Sequence, residues 1–284
     1  VAGKETIIQK KVTHIYMKSE WQDKLALITG ASGGIGASIA KKLASQGIRV
    51  ILVARNTDNL NKLSDSIKNN GGQAYCYSCD LSISENRTQL FTHIKNDLGI
   101  PDILINNAGV GWYGYFYDMP WKTADNLLSL DIIAPTHLTS LFIPYMLELK
   151  KSRIINIGSI AGKLPEQGIA LYSAAKGYLD SFTKSLFREL RGTNLSISII
   201  RAGPIKTNFF SGDVETMDGR RIPAERFAIQ PERVANKVWS LILHPRRYAY
   251  VPFYSFFSPL LEILFSWLLD LVGPVLLRFS TKDK

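Results

Sequence analysis

Short apolar runs alternate with longer stretches in which apolar residues recur every three or four positions, and the alternation continues through most of the chain. The runs predict strands near 24–29, 49–53, 73–79, 102–106, 153–158, 195–200 and 247–251. The stretches between them predict helices near 34–47, 56–70, 84–98, 121–149, 172–191 and 231–243. Such an order argues for an α/β fold, a doubly wound parallel sheet with helices on both faces. No internal repeat beyond these units and no low-complexity linker interrupts it. A chain of 284 residues can close one large core of this kind.

Two places in that pattern carry chemistry. The first predicted strand runs into Gly30-Ala31-Ser32-Gly33-Gly34-Ile35-Gly36 and then a helix. Glycines at a strand-to-helix turn allow a tight bend and close backbone approach to a pyrophosphate, which the helix N-terminus then receives with its amides and dipole. Further on, Ser159 follows an apolar strand, and Tyr172 and Lys176 form a Tyr-x-x-x-Lys pair on one helical face. The ammonium favours the phenolate, so the tyrosine can exchange a proton below its free value of about 10. A serine to hold a carbonyl oxygen and a tyrosine to supply a proton are what ketone reduction needs.

Together these residues resemble the short-chain dehydrogenase/reductase family over roughly Trp21 to Tyr250. Thr29-Gly30-x-x-x-Gly34-Ile35-Gly36 matches its TGxxxGIG motif, Asn106-Asn107-Ala108-Gly109 its NNAG motif, and Asp80-Leu81 its acidic pair. Ser159, Tyr172 and Lys176 match its catalytic residues. The resemblance implies a single Rossmann-like domain at 21–251, after an N-terminal extension at 1–20 and before an apolar tail at 252–284. It further implies cofactor contacts from the glycine loop with Ser32 and Ile35, from Asp80 and Leu81, and from Asn107, Ala108 and Gly109. Tyr172, Lys176, Gly203, Ile205 and Thr207 complete the set. A substrate lid is expected at about 208–230, and a homodimer or homotetramer through the helices near 121–149 and 172–191.

The second strand ends in Ala54-Arg55. An acidic residue there would accept from a ribose 2′-hydroxyl, whereas a guanidinium pairs with a 2′-phosphate, so NADP(H) is the expected cofactor. Two positions depart from the family pattern. Asp131 stands where the family has an asparagine on the helix before Ser159. An ionised Asp only accepts hydrogen bonds. It would hold the water linking Lys176 to solvent and stabilise the ammonium, or it would interrupt the relay; the sequence leaves both open. The second is Arg201-Ala202-Gly203, where the family more often has Pro-Gly.

Cys76 and Cys79 are three apart in a predicted strand and so point to opposite faces, which suits small core residues rather than a disulfide or a metal site. His14, His93, His137 and His244 are scattered, and no metal is expected. Aromatics crowd Trp112-Tyr113-Gly114-Tyr115-Phe116-Tyr117 and Phe209-Phe210, regions that line the pocket and lid in the family. They suit a bulky apolar ketone or alcohol, lipid-like or steroid-like.

The tail is almost wholly apolar from Tyr248 to Phe279. Ser258-Pro259 predicts a helix start and Gly273-Pro274 its stop. Some fourteen residues at about 1.5 Å each reach roughly 21 Å, short of a hydrocarbon core of about 30 Å. Lying in a membrane interface and capping a neighbouring subunit both stay open. The formal net charge is +10, and Arg220, Arg221, Arg226, Arg233, Lys237, Arg246 and Arg247 would favour anionic headgroups. No nucleic-acid motif accompanies that charge. Residues 1–20 do not read as a signal peptide. The expected location is the cytoplasm, with peripheral contact at a membrane surface through the tail.

The expected function is NADP(H)-dependent hydride transfer to or from a hydrophobic ketone/alcohol pair. Two other readings remain, a 3-oxoacyl-carrier ketoreductase on the same fold and a non-catalytic NADPH-binding scaffold or sensor.

Overall fold

The computed structural model describes residues 20–207 and 228–279. The lid expected at about 208–230 lies outside them except for its last three residues, and so does nearly all of the N-terminal extension.

Seven strands form one parallel sheet: β1 (Leu25–Thr29), β2 (Arg49–Ala54), β3 (Ala74–Ser78), β4 (Ile103–Asn106), β5 (Ser152–Ser159), β6 (Leu195–Ala202) and β7 (Tyr248–Val251). Their spatial order is β3-β2-β1-β4-β5-β6-β7. All five residues of β1 are buried, because helices cover both faces of the sheet. Alternate residues serve alternate sides. Ala26, Ile28, Val50 and Leu52 belong to one core, and Leu25, Leu27, Ile51 and Val53 to the other. The same alternation separates the cysteines. Cys76 packs on the first core and Cys79 lies in the second, and both are free thiols.

The chain winds outward from β1 through β2 and β3, then returns to place β4 on β1's other side. In an open α/β sheet the ligand crevice lies at such a reversal, outside the carboxyl ends of the two strands, here β1 and β4. The helix α1 (Gly34–Ala44) starts on this crevice, and its N-cap, Gly33, brings no side chain to the first-turn amides. By contrast, α2 (Thr57–Asn69) is capped by Asn56, whose Oδ1 accepts from the Asn59 N–H at 2.9 Å.

Two expected helices differ from their prediction. The stretch 121–149 is not one regular helix. Downstream of α3 (Ser84–Asp97), it consists of α4 (Trp121–Leu128), a π-helical turn at Ser129–Ile133 and α5 (Ala134–Met146). Although long and apolar enough by composition to cross a bilayer, it is a core element, with Leu138, Phe142 and Met146 buried against the sheet. The C-terminal helix does not stop at Gly273-Pro274 but spans Ser258–Phe279, 22 residues, with non-helical dihedrals at Phe265 instead. A proline deletes one N–H donor and bends a helix without having to end it.

Candidate functional site

The turn after β1 is built on close approach. Gly30 adopts φ +65°, and a Cβ at Gly36 would stand 2.2 Å from the Gly30 carbonyl oxygen, so neither position admits a side chain. Asn107 locks the turn: its Nδ2 donates to the Thr29 and Gly30 carbonyls at 2.9 and 3.1 Å. The Thr29 hydroxyl in turn accepts from the Asn107 and Ala108 N–H groups at 2.9 and 3.0 Å. Asn107 therefore spends its amide on shaping the loop. Thr207 reaches the loop from the end of β6, its Cγ2 3.0 Å from where a Gly34 Cβ would be. Gly203 is held to the sheet edge by its N–H on the Val251 carbonyl at 2.8 Å, and Ile205 bridges to Ile229. Ser32 is half-buried beside the loop, and Ile35 turns inward onto the first core.

At the outer end of the crevice, an open cleft of about 420 Å³ is lined by Arg55, Asp80, Asn86 and His93, among others. Asp80 Oδ1 accepts from the Ser82 N–H at 2.9 Å and its hydroxyl at 2.7 Å. Burial would raise this carboxyl, but those bonds and the Arg55 guanidinium hold it below the ordinary value. Leu81 has its side chain in the core and its carbonyl on Arg87 Nη1 at 2.6 Å.

At the inner end, β5 delivers Ser159, whose Oγ accepts from the Ala161 N–H at 3.1 Å. The helix α6 (Ala170–Glu189) begins two residues earlier than the sequence predicts and presents Tyr172 and Lys176 inward, both buried. Tyr172 packs with Trp112, Leu127, Ala161 and Ala175, and Lys176 Nζ lies 5.5 Å from its ring centre. Burial raises the Tyr172 hydroxyl; Lys176 pulls it back, Asp131 adds to the rise, and the Ser159 hydroxyl pulls it down again. Burial alone would lower Lys176, yet Asp131 and Tyr172 hold it above the usual amine value.

Asp131 sits at the π-helical turn, with Oδ2 2.7 Å from Lys176 Nζ and Oδ1 accepting from the Val110 N–H at 2.7 Å. The carboxylate contacts the lysine directly, with no gap between them for an intervening water.

Several contributors escaped the sequence reading. Asp180, one turn beyond Lys176, is buried. It pairs with Arg201 Nη2 at 2.7 Å, Lys163 Nζ at 2.6 Å and Lys184 Nζ at 3.2 Å. Arg201 also donates to the Tyr250 hydroxyl. This cluster ties together the segment after Ser159, the helix of Tyr172 and Lys176, and the strand leading to Gly203. Its signal in the sequence was the i, i+4, i+8 spacing of Tyr172, Lys176 and Asp180. The aromatic run divides. Trp112 and Tyr113 are core residues, whereas Phe116, Tyr117 and Trp121 are exposed. Of the basic residues expected to favour headgroups, Arg220, Arg221 and Arg226 lie outside the described residues, and Arg246 and Arg247 precede β7, whereas the tail leaves its opposite end.

The residues present fit a dinucleotide: a glycine cradle closed to side chains, an uncapped helix start, and a cation at the ribose end. Comparison with known proteins agrees. A family model described as short chain dehydrogenase matches residues 24–218. Ketoacyl reductase HetN of Nostoc sp. is 32% identical over 217 residues, covering 76% of this chain and 74% of that protein. The crystal structure of a metagenomic short-chain oxidoreductase in complex with NADP is 34% identical, covers 82% of this chain and 96% of its own, and superposes with a TM-score of 0.69. A Burkholderia phymatum short-chain dehydrogenase/reductase in complex with NAD shares the fold at 22% identity, with a TM-score of 0.78 over 88% of this chain and 96% of its own. The chain belongs to the short-chain dehydrogenase family and is an oxidoreductase acting on CH–OH and carbonyl groups.

Proposed function

We propose that the protein reduces a hydrophobic ketone with NADPH, using Tyr172 as the proton donor. The observation that carries this is the meeting of Ser159, Tyr172 and the Lys176–Asp131 ion pair at the inner end of the crevice, with Arg55 at its outer end. The nicotinamide, when bound, supplies the hydride. Ser159 donates a hydrogen bond to the carbonyl oxygen and gathers the charge that develops there. Tyr172 passes its hydroxyl proton to that oxygen, and buried Lys176 stabilises the phenolate left behind. Arg55, beyond the end of β2, supports NADP(H) over NAD(H) by pairing with the 2′-phosphate.

Exposed Phe116, Tyr117 and Trp121 support a bulky apolar substrate. The tail leaves the sheet beside Gly203 and exposes Phe253, Ile263, Trp267 and Leu271; we read it as a surface for a lipid interface, with Glu262 and Asp270 keeping it from crossing. The test is NADPH consumption over ketones graded from small and polar to long-chain and polycyclic, with NADH in parallel. Turnover that rises with apolar size and requires NADPH supports the reading. Turnover restricted to small polar ketones, or indifferent to the cofactor's phosphate, refutes it. The likeness to a ketoacyl reductase favours one second reading, an acyl-carrier substrate, which activity on carrier-bound ketones alone would select.

A further inference from the structure

Asp131 occupies a place built for a carboxylate. It is 1% exposed and stands on the five-residue π-helical turn Ser129–Ile133, which interrupts a helix where a side chain must be re-aimed. Each oxygen faces a donor, Lys176 Nζ on Oδ2 and the Val110 N–H on Oδ1, both at 2.7 Å. Burial raises the carboxyl above its ordinary value, and the Lys176 ammonium and the Val110 N–H oppose that rise. Gly109 leaves it room, since a Cβ there would stand 2.9 Å from Oδ2 and 3.0 Å from Oδ1.

The Lys176 side chain is 6% exposed, and a buried ammonium needs an anion. Two groups beside it can supply one, the Asp131 carboxyl and the Tyr172 hydroxyl. Burial raises both, but their free values, about 4 and about 10, lie some six pH units apart, and Lys176 with the Val110 N–H pulls the carboxyl back, so the carboxyl gives up its proton first. Once Asp131 is ionised, the pair beside Tyr172 is neutral overall, and the pull of a lone ammonium on the phenol is largely cancelled.

We propose that Asp131 is a positioning residue that holds the charge of Lys176 and thereby keeps Tyr172 protonated, setting the site to deliver a proton to a ketone rather than to take one from an alcohol. This rests on the reading of Tyr172 as the proton donor. Reduction then runs at neutral pH with the donor fully loaded, and alcohol oxidation needs a more alkaline medium. The Ser159 hydroxyl, which pulls Tyr172 down from the end of β5, is the same whether or not Asp131 carries a charge, and Asp180, one turn further along, is closed upon Arg201, Lys163 and Lys184. His137, on α5 beyond Asp131, accepts from Arg87 Nε at 3.0 Å.

In Asp131→Asn the shape and the Val110 bond are kept, while the carboxylate paired with the lysine is lost. The phenolate then becomes the counter-ion of Lys176. The experiment labels tyrosine at the ring carbon bearing the hydroxyl and follows it by NMR across pH in the apo protein, with Tyr172→Phe identifying the signal. The Tyr172 midpoint should fall by about one to two pH units in Asp131→Asn. The rising limb of the pH profile for alcohol oxidation should fall with it. A midpoint that stays put or rises overturns the proposal. Should Asp131→Asn fail to fold, Gly109→Ala crowds the carboxylate without removing it, and a downward shift is again expected and its absence contradictory. Because the titration needs no turnover, a protein inactive on every ketone would defeat the proposed function while leaving this result readable.

Discussion

Removing the Asp180 carboxylate should cost the protein much of its stability. Asp180 and Arg201 have side chains 2% and 6% exposed, and they meet at 2.7 Å between α6 and β6. In Asp180→Ala, Arg201 keeps its charge and its place on β6 between β5 and β7, beside the Tyr250 hydroxyl and the faces of Tyr248 and Tyr250, with no carboxylate left at 2.7 Å. Breaking a buried pair on one side costs about 3–5 kcal/mol, a large share of a total stability of about 5–15 kcal/mol. Asp180→Leu combined with Arg201→Met should cost less than Asp180→Ala alone, because it leaves no orphaned charge. The assay is urea unfolding followed by circular dichroism. Its pH dependence has a definite sign. Burial would raise the Asp180 carboxyl, but Arg201 and Lys163 hold it below the ordinary value. A depressed folded value gives stability that is full above the unfolded value of about 4 and is lost as pH falls through the folded one. The gap between wild type and Asp180→Asn should therefore be widest near neutrality and close in acid. A loss under about 1 kcal/mol for Asp180→Ala, or a gap that widens in acid, would refute this account of the cluster.

Arg55→Ala should raise the KM for NADPH by roughly ten- to a hundredfold, the worth of a hydrogen bond to a charged group, and leave that for NADH nearly unchanged; paired steady-state kinetics with the two cofactors decide it. Gly36→Ala places a methyl 2.2 Å from the Gly30 carbonyl oxygen and should cost about 1–3 kcal/mol together with NADPH affinity, read by thermal melting and fluorescence titration. Vesicles containing anionic lipid should shift the tryptophan emission of the full chain to the blue, and Trp267→Ser should reduce that shift; an emission spectrum insensitive to vesicles contradicts the reading of the tail.

The sheet was legible because its central strands are apolar on both faces, as in Leu25–Thr29, and because the glycine loop marks the first turn. Tyr172, Lys176 and Ser159 were legible through local spacing and fall where that spacing put them. The Asp131–Lys176 contact was not, since its length depends on a π-helical turn that the continuous apolar pattern of 121–146 conceals. Nor was the cluster of Asp180, Lys163 and Arg201, which joins three elements distant in sequence. A lone acid at position 180 looks like any helical surface residue until β6 sets a guanidinium beside it. The stop expected at Gly273-Pro274 did not hold, since a proline removes one N–H donor without having to end a helix, and the break in the helix falls instead at Phe265.

The central claim is that Tyr172 gives its proton to the carbonyl oxygen. The most direct measurement compares wild type with Tyr172→Phe for NADPH-dependent ketone reduction, with NADPH binding followed separately by fluorescence. The account predicts that kcat falls by roughly 10²–10⁴-fold or more while NADPH affinity stays nearly intact. A Tyr172→Phe protein that turns over at the wild-type rate would contradict it.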